Sequence, residues 1–185
     1  MANVYLALVH YPVYNKHQTI VSTCITGFDL HDIARAAITF GIKKYFVVNP
    51  LPAQQAFASR IVDFWNEEGS MEFNWTRAEA FKLIEIKGTL EEAIKEIEGI
   101  EGIRPRVIAT SAKPQGNLTF RELNSELKTP NSGPYLIVLG TGWGLADEVF
   151  TLVDATLEPI KGNSGYNHLS VRSANAIILD RLLGQ

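Results

Sequence analysis

The sequence predicts an α/β fold: a mostly parallel sheet of five to six strands with helices on both faces. Three observations carry this. Short runs rich in β-branched and aromatic residues recur along the chain, VYLALV at 4–9, YFVV at 45–48, RVIAT at 106–110 and YLIVL at 135–139. They are apolar at every position instead of alternating, as strands buried on both faces are. Helical patterns separate them, and strand–helix alternation is the signature of a parallel sheet covered on two sides. In such sheets ligands sit beyond the carboxyl ends of the strands. Those ends are His10, Asn49, Thr110 with Ser111, and Gly140 to Gly144.

After the first strand comes a polar loop, 10–18, with Tyr11, Tyr14, Lys16 and His17. Asp29 reads as the N-cap of a helix, with Asp32 three residues on as its acidic partner. Ile33, Ala37 and Phe40 set the core stripe, Gly41 ends the helix, and Arg35 lies off that stripe. The second strand stops at Asn49-Pro50. Phe57, Ile61, Phe64 and Trp65 then mark an amphipathic helix over 53–66. A helical piece at 77–82 precedes a short strand, LIEI. In the helix from Leu90 to Ile97, Glu91 and Lys95 form an i, i+4 pair. Residues 119–127 read as a helix before the Pro130–Pro134 turn and the fifth strand, and a last helix starts near Ser170.

At 185 residues the chain is most simply one domain, 1–185, and its 46% hydrophobic and 20% charged composition is that of a soluble globular protein. No apolar run is long enough to span a membrane and the start lacks a signal-peptide pattern, so a cytoplasmic location is expected. The single Cys24 makes neither a disulfide nor a zinc site and reads as a small buried residue; no metal is expected. A net charge of −3 gives no global attraction to nucleic acid. Local basic candidates are Lys43 with Lys44, Arg104 with Arg106, and Lys113.

The most informative stretch runs from Pro134 to Gly184. The fifth strand empties into Gly140-Thr141-Gly142-Trp143-Gly144, where three positions without Cβ allow a ligand or a second backbone to come close. The pattern is neither G-x-G-x-x-G nor a P-loop. Taken alone, these glycines fit a tight turn after a buried strand equally well. A second glycine-rich loop, Lys161 to Gly165, leads through Tyr166-Asn167-His168-Leu169 into the last helix. With Thr110 and Ser111, the two loops could offer backbone groups to a flat adenine-like ring sandwiched by Ile160 and Leu169.

Gly140 to Gly144, then LEPI, then YNHLSVRSANAIILDRL, resemble the cofactor-binding half of the SPOUT superfamily of S-adenosylmethionine-dependent RNA methyltransferases. The tail is similar to the YN-x-LSV segment of the bacterial tRNA guanine-N1 enzymes. DLHDIARAAITFGI resembles the first motif of the ribose 2′-O branch. Together these segments make up roughly a third of the chain. The resemblance implies a C-terminal trefoil knot, a feature otherwise nearly absent from proteins. It also implies S-adenosylmethionine bound among Gly140, Thr141, Gly142, Ile160, Gly165, Tyr166, Asn167 and Leu169, and a homodimer with its RNA site between subunits.

In the ribose branch the motif arginine acts near the 2′-hydroxyl and phosphate, and Arg35 matches it. A guanidinium does not deprotonate, so Arg35 reads as a bidentate phosphate clamp. Two departures stand out: Asp29 replaces the branch's Asn, and Gly142 stands where its second motif often has Glu. His168 takes the third-motif slot with Asn167 beside it, and an imidazole there is a conceivable proton acceptor. The guanine-N1 enzymes use an acidic residue in a linker beyond the tail helix, whereas this sequence stops at Gln185, which favours ribose over guanine N1. The expectation is thus tRNA ribose 2′-O-methylation with catalytic candidates Arg35, Asp29, Asn167 and His168. His10, Tyr11, Tyr14 and Lys16 would contact RNA. Base methylation of tRNA, or an adenosine-nucleotide-binding module without chemistry, are the alternatives.

Overall fold

A computed structural model describes residues 1–113 and 116–185. Strand β1 (Val4–Val9) leads through the short hairpin β2 (Val13–Tyr14) and β3 (Ile20–Val21) to helix α1 (Gly27–Thr39). Then follow β4 (Tyr45–Val48), α2 (Pro52–Asn66), α3 (Glu68–Phe81), β5 (Ile84–Lys87), α4 (Leu90–Glu101) and β6 (Arg106–Ala109). The chain ends with α5 (Phe120–Lys128), β7 (Tyr135–Gly140), a 3-10 turn (Asp147–Thr151), β8 (Ala155–Thr156) and α6 (Val171–Leu183).

Among the described residues, six strands form one sheet in the order β5-β4-β1-β7-β6-β8, and every recorded pair in it is parallel. Side chains alternate across it. Leu6 and Leu8 join the core under α1, α2, α3, α5 and α6, while Tyr5, Ala7 and Val9 join the one under α4. This double burial explains why these strands read as unbroken apolar runs. The chain first builds outward from β1 to β4 and β5, then crosses to the other side and returns as β7. The gap between the ends of β1 and β7 is therefore the topological switch point, where a crevice opens.

Several expected elements shift. Asp29 is not the N-cap: Thr26 is, its Oγ1 accepting from the Asp29 amide at 3.2 Å and donating to Asp29 Oδ2 at 2.7 Å. Helix α2 buries Ala58, Val62 and Trp65, leaving Phe57 and Phe64 exposed. Helix α3 begins nine residues before the expected piece and contains a break at Asn74. No helix among the described residues is long and apolar enough to cross a membrane.

Candidate active site

The crevice is a cavity of about 630 Å³ at the carboxyl ends of β1, β7 and β6. One wall comes from His10, Thr23, Cys24 and Asp29, beyond β1 and at the start of α1. Thr110 to Lys113 follow β6, Leu139 to Gly144 end β7, and the C-terminal run from Leu157 to Ile178 closes the remaining side. The end under β6 and β8 is apolar, with Leu157, Ile160 and Ile178, whereas the β1 end is polar.

The glycine loop is shaped by the loop after β1. Tyr14 N donates to Gly144 O at 2.9 Å, Trp143 N donates to Tyr14 O at 2.8 Å, and Val13 bridges Leu145. Gly142 has φ 59°, and a Cβ there would lie 2.8 Å from Tyr14 O. Its missing side chain thus admits a second backbone, one of the two roles expected of this loop, while Gly142 also lines the cavity.

The C-terminal run lies tightly against the loop after β6. A Cβ on Gly116 would sit 2.5 Å from the Glu158 Cα, Leu118 bridges Leu157, and Asn167 Nδ2 donates to Ala112 O at 2.9 Å. Ser170 caps α6, its Oγ accepting from Ser173 N at 3.2 Å. The first turn of α6 then returns to α1: Arg172 Nη1 is 3.0 Å from Asp29 Oδ1, and its Nε is 3.3 Å from Asp32 Oδ2. Asp29 is thereby fully engaged, with Oδ2 on Thr26 and Oδ1 on Arg172.

At the β1 end His10 is fully buried, and burial pushes its imidazole down to about 4, partly opposed by the Asp29 charge. His10 Nδ1 is 3.0 Å from Thr23 Oγ1, which is 2.6 Å from Thr141 Oγ1. Thr141 donates in turn to Val9 O at 3.1 Å.

Of the site residues expected from sequence, Asp29, Thr110, Ser111, Gly140, Thr141, Gly142, Ile160, Asn167, His168 and Leu169 all line this cavity. Gly165 and Tyr166 do not; Tyr166 is 71% exposed, its ring 5.6 Å from His168. Arg35 is exposed on the outer side of α1, in a separate shallow groove with Asp32, Ala36, Thr39 and Phe40. Among the described residues its guanidinium has no ion-pair partner. Cys24 is exposed and lines the cavity, contrary to the expected buried role, because it follows β3 before the chain turns into α1. His10 cannot stack on RNA, being buried, and Tyr14 is held against the glycine loop; Tyr11 and Lys16 remain exposed. The basic candidates are mostly neutralised: Lys44 pairs with Glu85 and Glu96, Arg104 with Asp154, and Arg106 with Glu126. Lys113 lines the cavity. Thr23 and Cys24 are among the lining residues that sequence reasoning did not place at the site, since neither of them stands in a motif.

The cavity suits an adenosyl donor. Its volume lies in the range of small-molecule sites, with an apolar slot for a ring at one end and polar groups at the other. Ser111 and the glycine loop bring backbone to its wall, as a flat ring with edge donors requires.

A tRNA (guanine-N(1)-)-methyltransferase of Oleidesulfovibrio alaskensis is 42% identical over 182 residues, which cover 98% of this chain and 42% of that relative. An uncharacterized protein of Aquifex aeolicus is 41% identical over 184 residues, covering 99% of this chain and 89% of its own length. The chain thus spans less than half of the guanine-N1 relative. Among solved structures, a probable methyltransferase from Bordetella pertussis has a TM-score of 0.65 at 19% identity, covering 98% of this chain and 92% of that one. The SpoU methyltransferase AviRb from Streptomyces viridochromogenes, in complex with AdoMet, has a TM-score of 0.59 at 16% identity, covering 98% and 57%. These two likenesses concern the fold. The sequence model of the family described as SAM-dependent RNA methyltransferase matches residues 3–184, and the chain belongs to that family.

Proposed function

We propose that the chain methylates a ribose 2′-hydroxyl of tRNA, working as a homodimer whose C-terminal run is threaded as a knot. One observation carries the choice of acceptor. The two carboxylates lining the cavity are already committed, Asp29 to Arg172 and Thr26, and Glu158 to the Phe120 amide at 2.8 Å. Asp29 is thus engaged through both oxygens and Glu158 through one, which disfavours either as the base for a guanine ring N–H, whereas the His168 imidazole also lines the cavity. The contacts of Ala112, Gly116 and Leu118 with the C-terminal run support the threading. The names of the relatives support tRNA as the RNA.

When bound, S-adenosylmethionine supplies an electrophilic methyl group, so the protein's work is to orient the acceptor and manage its proton. Thr110, Ser111, Ile160 and Leu169 hold the adenosyl end. Arg35 grips phosphate with its fixed positive fork. Because it lies outside its own chain's cavity, it would serve the cavity of the second copy, which is the reason to expect a dimer.

The relatives' name favours a second reading, guanine N1 of tRNA. Mass spectrometry of nucleosides from tRNA incubated with the protein and S-adenosylmethionine separates the two. A 2′-O-methylnucleoside is expected; 1-methylguanosine would replace the ribose reading.

A further inference from the structure

Trp143 is held out of the core by its own backbone. Gly142 and Gly144 on either side have φ 59° and 105°, a geometry that residues with a Cβ rarely adopt. Trp143 N donates to Tyr14 O at 2.8 Å and Gly144 O accepts from Tyr14 N at 2.9 Å, so this turn is pinned to the loop after β1. The indole stays 55% exposed while lining the cavity. A fixed loop that leaves so much apolar ring in water forgoes the burial an aromatic side chain ordinarily gains, which is the mark of a surface kept for a ligand.

Two more rings continue that surface. His168, which also lines the cavity, has its ring centroid 6.4 Å from that of Trp143, and the exposed ring of Tyr166 lies 5.6 Å from His168. The planes meet at 55° and 74°, so the rings lean on one another at angles and leave aromatic faces open. A cation stands at the same cavity. Lys113 is exposed, lines it and makes no ion pair among the described residues. Its loop is joined to the ring segment by the bond from Asn167 Nδ2 to Ala112 O.

We propose that Trp143, supported by His168 and Tyr166, is the platform on which an unpaired base of the RNA stacks, with Lys113 on a neighbouring phosphate. Aromatic faces beside positive charge hold single-stranded nucleic acid, and only a base outside a duplex has a face to offer. The substrate class is therefore a nucleotide in a loop or bulge. The proposal deepens the reading above: it rests on RNA being the substrate, and not on which atom takes the methyl group. The other exposed aromatic group, Phe64, Phe73 and Trp75 on α2 and α3, shares those helices with exposed Asp63, Glu67 and Glu72, charges that repel phosphate.

The test compares Trp143→Ala, Trp143→Leu and Trp143→Phe with the wild type. By fluorescence anisotropy the wild type should bind a labelled single-stranded oligoadenylate more tightly than an RNA duplex of the same length. Trp143→Ala should weaken single-strand binding about tenfold or more and leave duplex binding unchanged. Trp143→Phe should keep most of the affinity, whereas Trp143→Leu, apolar but without a flat face, should lose as much as Trp143→Ala. KM for bulk tRNA should rise by the same factor with kcat little changed, and calorimetry with S-adenosylhomocysteine should show the donor site intact. Equal or absent wild-type binding of the two RNAs, or full affinity in Trp143→Leu, overturns the proposal. So does a Trp143→Ala protein that loses donor affinity, which would place the indole in the donor site, or one whose oligomeric state shifts in sedimentation, which would place it between copies. If Trp143→Ala does not fold, unchanged single-strand affinity in Tyr166→Ala overturns it as well. Appearance of 1-methylguanosine with the binding results intact would replace only the ribose reading and leave the platform standing.

Discussion

Arg172 Nη1 lies 3.0 Å from Asp29 Oδ1 across 143 residues of sequence, joining the first turn of the last helix to the first turn of α1. The Asp29 side chain is 8% exposed, and its recorded partners are that guanidinium and Thr26. Removing Arg172 leaves a buried carboxylate short of a partner, at a cost of about 1–3 kcal/mol. Arg172→Ala should therefore lower the unfolding free energy by that amount in urea titrations. It should also weaken donor binding, because Asn167 to Val171, which line the cavity, lose their anchor.

Gly142→Val is expected to act through the backbone. At φ 59° a β-branched residue is strained, and its Cβ would meet Tyr14 O at 2.8 Å. A loss of about 1–3 kcal/mol is expected. Thermal unfolding with and without S-adenosylhomocysteine should show both a lower midpoint and a smaller ligand-induced rise.

His10 sets a pH dependence of stability. Its folded value, about 4, lies below the ordinary 6.5, so the unfolded chain binds the extra proton. The contribution is whole above about pH 6.5 and is lost as pH falls towards 4, with a slope of about 1.4 kcal/mol per pH unit. His10→Asn should flatten this part of the curve in denaturant titrations at successive pH values.

Arg35→Ala should reduce methyl transfer about 100-fold or more while leaving donor affinity near normal. The groove around Arg35 is separate from the donor cavity, so the two readouts ought to part.

Much of the fold was legible because burial on both sheet faces writes itself as unbroken apolar runs, as at Tyr135–Leu139. Helix α3 was half missed: Gly69, Ser70 and Asn74 are weak helix formers and its apolar residues keep no single face. The α2 stripe was displaced because the aromatic residues Phe57 and Phe64 outweighed Ala58 and Val62, although the smaller pair faces the core. Strand β8, two residues long, carries no periodic signal. At the site, the glycine loop and YNHLS segment were readable as local motifs. The His10–Thr23–Thr141 chain was not, since it joins three distant segments by hydroxyl contacts that leave no spacing in sequence. The exposure of Cys24 was equally hidden, being decided by the hairpin that precedes it.

The most direct test is a crystal structure of the protein with S-adenosylhomocysteine. The ligand's adenine should lie between the Thr110–Ser111 turn and Ile160, with its sulfur turned towards the β1 end. A ligand found outside the β1–β7 crevice, or a C-terminal run that leaves the Ala112 loop without threading it, would contradict the account.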